Sequence, residues 1–98
     1  MKPYHNEDMD FLFRGVLTLT TPEECDAFFE DICTIKELQA MAQRFRVAAQ
    51  LRENKNYNEI QASTGASSAT ISRVNKCLVY GSGGYVTALQ RLEEKENG

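Results

Sequence analysis

Between Asp10 and Leu19 the chain carries Phe11, Leu12, Phe13, Val16, Leu17 and Leu19. A helix this apolar is not stable against water on all sides, and 98 residues build only a modest core with which to cover it. Two arrangements satisfy the segment: the helix crosses the whole domain, or it packs on a second chain. The remaining pattern is helical too. No stretch alternates apolar and polar residues over a strand length with β-branched enrichment, and only two prolines interrupt the chain. An all-α fold in a single domain spanning residues 1–98 is expected.

Local signals divide the chain after Leu19. Thr21 is a candidate cap, Pro22 suits the first helical position and Glu24 stands where a capping box needs an acid, so a helix is predicted to about Ile32, with Phe28, Phe29 and Ile32 inward. Thr34-Ile35-Lys36-Glu37 repeats the signature and opens the longest helix, to about Glu53. Ile35, Leu38, Ala42, Phe45 and Ala49 form its apolar stripe, and Arg44, Arg46 and Arg52 fall outside it. Asn54-Lys55-Asn56 is a polar turn. Two short helices, about Asn58–Thr64 and Ser68–Leu78, precede a flexible glycine-rich break at Tyr80–Gly84, either a plain linker or a hinge that lets the last helix turn back on the core. A last helix, about Tyr85 to Glu94, turns Val86, Leu89 and Leu92 inward.

Residues 57–78 have the layout of a helix-turn-helix. Gly65 lies where the first helix must end in a left-handed residue, which glycine adopts without a Cβ clash. Ser67 is a good cap for the second helix, and Ile60, Ile71 and Val74 are spaced to hold the two together. The second helix exposes Ser68, Ala69 and Ser72, side chains small enough to seat a helix deep in a major groove, with Arg73 and Lys76 flanking them. Asn58, Gln61 and Ser67 complete the candidate DNA-binding set. On geometry alone an ordinary corner of a helical protein has the same outline.

Charge distribution adds to the DNA reading. The chain is acidic overall, at −3, yet residues 1–40 carry −6, residues 41–80 carry +4 and the tail −1. A positive middle suits contact with phosphates. The competing reading is a helical dimer whose corner contacts protein and not DNA, favoured by the acidic N-terminal part. Placement of Arg44, Arg46, Arg73 and Lys76 separates the two: grouped beside the second helix they favour DNA, paired with N-terminal acids they favour protein.

Gly65-Ala66, then Ala69-Thr70-Ile71 and Arg73, resembles the Gly-Ala-x-x-Ala-Thr-Ile-x-Arg core of the Trp repressor family. Thr34 through Arg46 lines up without gaps, ending in a similar Arg-x-Arg pair, and the Tyr80–Tyr85 stretch resembles the YerC/YecD branch of Trp-repressor-related proteins. The resemblance implies an intertwined, all-helical homodimer whose N-terminal helices cover each other. It also implies two recognition helices about 34 Å apart reading a near-palindrome in double-stranded DNA, and hence a transcriptional regulator, a repressor by analogy.

In that family a corepressor sits between two arginines, and the matching positions are Arg44 and Arg73, with Thr34 as the matching threonine. Val74 replaces a glycine and Cys77 a serine, which puts a branched side chain in place of space for an indole ring and removes a good hydrogen-bonding group. Tryptophan is therefore not expected as a ligand. The residues leave open whether another small effector binds at Thr34, Arg44, Arg73, Val74 and Cys77. Asn58 and Gln61 replace basic residues, so the Trp repressor's operator does not carry over.

Catalytic constellations are missing. His5 is the single histidine, near the start, and Cys25, Cys33 and Cys77 lack the paired spacing of a zinc site and any histidine placed by a motif. Neutral or buried thiols are expected. The glycine-rich break lacks the Gly-Lys-Ser/Thr ending of a phosphate loop, and the acidic clusters lack calcium-loop spacing. No enzyme, metal or cofactor is expected. Met1–Asp10 is polar and not a signal peptide, and no apolar run nears the roughly 20 residues of a membrane helix, so a cytoplasmic protein without a membrane partner is expected.

Overall fold

The computed structural model describes residues 2–97. They form six helices and no strand: α1 (Glu7–Val16), α2 (Pro22–Ile32), α3 (Ile35–Arg52), α4 (Tyr57–Thr64), α5 (Ser68–Tyr80) and α6 (Gly84–Asn97). Contacts divide them into two compact units, one ending at Leu38 and one beginning at Gln39.

In the first unit the helices are set by their caps. The Met9 amide donates to Asn6 Oδ1 at 3.0 Å, and acids at Glu7, Asp8 and Asp10 favour the positive end of α1. The helix thus starts three residues before the predicted Asp10. It also stops earlier, because the Thr18 hydroxyl and amide both donate to the Gly15 carbonyl and tighten the last turn. At α2 the Glu24 amide donates to Thr21 Oγ1 at 3.1 Å, but the Glu24 carboxylate reaches one residue further back than a capping box requires. It accepts from the Thr20 amide at 2.8 Å and the Thr20 hydroxyl at 3.0 Å. At α3 the box is complete: Thr34 and Glu37 exchange bonds at 2.8 and 3.1 Å. The Thr20 amide and hydroxyl hold the Glu24 carboxyl below its ordinary pKa, and those of Thr34 do the same for Glu37.

Neither α1 nor α2 buries a residue. Phe28 and Phe29 are half-buried and meet edge to face at 5.3 Å, whereas Ile32, expected inward, is exposed. Phe11 is 71% exposed, Leu17 82% and Ile35 70%.

The second unit has a true core of Val47, Ala48, Ile60, Ala66, Ile71, Val74 and Leu89, flanked by Phe45, Ala49, Leu51, Tyr57, Leu78 and Tyr85. Here the predicted stripe of α3 is only part of its apolar surface. Val47 and Ala48 fill the core, Ala42 and Ile35 are exposed, and Leu38, Phe45 and Ala49 are half-buried. Helix α3 has two apolar faces, and the one with the clean three- and four-residue spacing is the face its own chain leaves partly open. With Leu89 and Leu92 of α6, that face lines a groove of about 460 Å³ containing Ala42, Phe45 and Ala49.

α3 ends in a Schellman turn. The Lys55 amide donates to the Gln50 carbonyl and the Asn54 amide to the Leu51 carbonyl, with Asn54 left-handed at φ 63°. Helix α5 runs two residues beyond the predicted Leu78, to a cap at Gly81 whose amide donates to the Cys77 carbonyl at 2.9 Å. Gly83, at φ 84°, turns the chain into α6, which brings Leu89 back to the core. All three cysteines are free; Cys25 and Cys77 are exposed and Cys33 is intermediate, so none has the buried place that was one of the expected alternatives.

Candidate nucleic-acid interface

The corner between α4 and α5 is built from its caps inward. Asn56 and Glu59 form a full capping box at the start of α4. At its end Gly65 takes φ 74° and its amide donates to the Gln61 carbonyl at 3.0 Å. Thr64 braces the turn, donating from its hydroxyl to the Ile60 carbonyl at 2.7 Å and accepting from the Ala66 amide at 3.1 Å. Ser67 then caps α5 by accepting from the Thr70 amide at 3.1 Å. Ile60, Ile71 and Val74 lie fully inside the core and clamp the two helices together.

Two glutamines of α3 hold this corner in place, and sequence reasoning missed both. Gln43 Nε2 donates to the Thr64 carbonyl at 3.1 Å. Gln50, only 8% exposed, accepts from the Ser63 hydroxyl at 2.6 Å. A buried amide left without a partner is costly, so the Gln50–Ser63 bond fixes α4 against α3 as well as joining them. The available signal was Gln50 standing three residues after Val47, a polar residue on the apolar side of the helix.

Exposure along α5 follows one stripe: Ser68, Ala69, Ser72, Arg73, Lys76 and Cys77 are exposed, while Ile71 and Val74 are buried. That is the three- and four-residue spacing of one helix face. Asn58 is exposed on α4 and Gln61 half-buried. The Tyr57 hydroxyl lies 3.5 Å from Ser72 Oγ, which puts the first turn of α4 beside the middle of the stripe. Of the eight candidate DNA-binding residues, Ser67 has its hydroxyl engaged as a cap by Thr70.

The ion pairs among the described residues are His5–Asp10, Arg52–Glu93 and Lys55–Glu53. None engages Arg44, Arg46, Arg73 or Lys76. From Gln39 onward eight basic residues face five acidic ones, whereas the residues before it carry three against nine. The division of charge therefore follows the division of the structure.

The five candidate effector residues differ in exposure. Val74 belongs to the core, Arg73 and Cys77 point outward from α5, and Arg44 is half-buried. Thr34 is occupied as the cap of α3. No group of three or more potential metal-binding side chains occurs among the described residues, and no helix is long and apolar enough to cross a membrane.

A left-handed glycine turn, two short clamped helices, and a small-residue face flanked by cations define a helix-turn-helix with the fold of a DNA-binding regulator. The chain belongs to the Trp repressor protein family, whose model matches residues 7–93. It is 51% identical over 90 residues, covering 92% of this chain and 86% of the relative, to the uncharacterized protein YerC of Bacillus subtilis strain 168. A solved TrpR-like protein from Eubacterium eligens matches with a TM-score of 0.87 and 46% identity over 90% of this chain and 91% of that one. A second solved structure, from Staphylococcus aureus, gives 0.88 at 40% identity over 91% and 89% of the two chains. These similarities place the chain in the YerC branch.

Proposed function

We propose that the protein is a sequence-specific, double-stranded DNA-binding transcriptional repressor, acting in the cytoplasm as a homodimer with α5 as the recognition helix. One observation carries the reading. The exposed stripe of α5 presents Ser68, Ala69 and Ser72, which a major groove admits, beside Arg73 and Lys76, which no carboxylate among the described residues neutralises. A corner specialised for protein would gain nothing from leaving those cations unpaired.

The homodimer reading rests on the apolar surface that one chain leaves wet. Phe11, Leu17, Ile35 and the open face of α3 call for a second chain. Tryptophan has no part in the proposed mechanism, because Val74 occupies its position as a core residue and Thr34 is committed to its helix.

Selection from a random duplex pool, with and without tryptophan, tests the proposal. A near-palindrome is expected, the same in both arms. Ala69→Glu combined with Ser72→Glu is expected to abolish enrichment while sedimentation still shows a dimer. Absence of any enriched sequence would refute the DNA reading and leave the corner as a protein contact.

A further inference from the structure

The candidate contact residues read from sequence leave out Tyr57, the first residue of α4. Its ring is half-buried and packs against the core of the second unit, so the phenol cannot swing away without exposing apolar surface. The hydroxyl is carried to the edge of the recognition face. There Ser72, exposed in the middle of the α5 stripe, has its Oγ 3.5 Å away. That separation is longer than the usual O–H···O bond, and among the described residues it is the phenol's one hydrogen-bonding contact. Tyr57 thus holds a hydroxyl at a fixed place beside the stripe, with most of its bonding capacity unused.

Resting on the DNA-binding reading, we propose that Tyr57 is a DNA-backbone contact, its hydroxyl donating to a phosphate at the wall of the major groove that α5 enters. In a helix-turn-helix the second helix lies in the groove and the first crosses the backbone. A side chain of the first helix that emerges beside the middle of the second therefore stands at the boundary between base edges and phosphates. A phosphate oxygen between two nucleotides carries no proton. The phenol is then the donor, whichever way the Tyr57 and Ser72 hydroxyls are turned in the free protein.

This contact differs in kind from those expected of Arg73 and Lys76. They bring charge on flexible stems, whereas Tyr57 brings a neutral donor on a rigid ring held by the core. It fixes the register and angle of the corner on the duplex, as backbone contacts do, and reads no base. A hydrogen bond to a charged group, at the low end of its usual range, corresponds to about ten-fold in affinity per half-site. Losing it from both half-sites of a dimer corresponds to about a hundred-fold.

Wild-type protein, Tyr57→Phe, Ser72→Ala and the double variant are titrated against the duplex that the wild type enriches and against its single-base variants. A further series replaces one phosphate at a time by methylphosphonate. Phenylalanine keeps the ring in the core, and unchanged thermal melting confirms that the fold is retained. Tyr57→Phe is expected to weaken binding to the enriched duplex and to every single-base variant by the same factor. The slope of log affinity against log salt is expected to stay unchanged, because a neutral donor displaces no counterion. At one phosphate per half-site, methylphosphonate is expected to cost the wild type about ten-fold more than it costs Tyr57→Phe. Tyr57→Phe is also expected to weaken Ser72→Ala as much as it weakens the wild type. The inference is overturned if Tyr57→Phe binds as tightly as the wild type, or if its loss is confined to one base position. It is equally overturned if the loss vanishes in the Ser72→Ala background, or if no phosphate separates the two proteins. Failure of the wild type to enrich any site would instead remove the DNA reading itself, and this inference with it.

Discussion

Three glycines of the second unit sit in environments that separate backbone conformation from steric clash, and alanine at each gives a different expected result. Gly65 is left-handed at φ 74°, and a Cβ there would meet nothing nearer than Gln43 Nε2 at 3.9 Å, an ordinary contact. The cost of Gly65→Ala is therefore conformational: about 1–2 kcal/mol for a left-handed L-residue, offset by about 0.4–1 kcal/mol because alanine has less freedom to lose from the unfolded chain. A net loss of about 1 kcal/mol follows. Gly84 has nothing within 4 Å of its Cβ position and no left-handed φ, so only the unfolded-state effect remains, and Gly84→Ala should stabilise by about 0.4–1 kcal/mol. At Gly81 a Cβ would lie 2.3 Å from the Cys77 carbonyl oxygen, a backbone atom that accepts the capping bond. Gly81→Ala must displace the end of α5, and a cost of about 1–3 kcal/mol is expected. Urea unfolding at one fixed protein concentration measures all three, since association contributes to apparent stability. Equal effects for Gly65→Ala and Gly84→Ala would refute the claim that the turn depends on a left-handed residue at position 65.

Ser63→Ala leaves the buried Gln50 oxygen without its partner and is expected to cost about 1–3 kcal/mol by urea unfolding, whereas Gln50→Leu together with Ser63→Ala should recover part of that loss. The lowered pKa of Glu24 and Glu37 makes the caps of α2 and α3 most stabilising above the ordinary carboxyl pKa, and that contribution is lost as pH falls through the lowered folded values. Unfolding midpoints followed from pH 7 to pH 3 should show this loss, and Glu37→Gln should diminish it. In DNA titrations at several salt concentrations, alanine at Arg73 or Lys76 is expected to reduce the slope of log affinity against log salt by about 1 each if each touches a phosphate.

Local chemistry was the most legible part of the fold. Thr21, Thr34, Ser67 and Gly65 act as their residue types suggested, because a cap depends on a few neighbouring atoms that sequence spacing fixes. Boundaries moved where a short-range bond was not anticipated, as with Asn6 before α1 and the Thr18 turn after it. The recognition face was legible for the same reason: burying Ile71 and Val74 leaves Ser68, Ala69 and Ser72 on the opposite side of a regular helix. Gln43 and Gln50 were not legible, since their partners stand 21 and 13 residues away and no periodicity announces a hydrogen bond across a corner.

The stripe on α3 was only partly legible. Period alone cannot say which apolar surface covers a stripe: of Ile35, Leu38, Ala42, Phe45 and Ala49, Phe45 and Ala49 flank the core, whose α3 residues are Val47 and Ala48. The two faces differ in kind. Val47, Ala48 and Leu51 are interleaved with Gln50, whose amide is satisfied by Ser63 of the same chain, as an intramolecular contact requires. The cleaner stripe carries no such partnered polar group and stays partly open, together with the wet side chains Phe11 and Leu17. Under the proposed homodimer, the second apolar face of α3 and the apolar residues between Asp10 and Leu19 are the surfaces offered to a second copy.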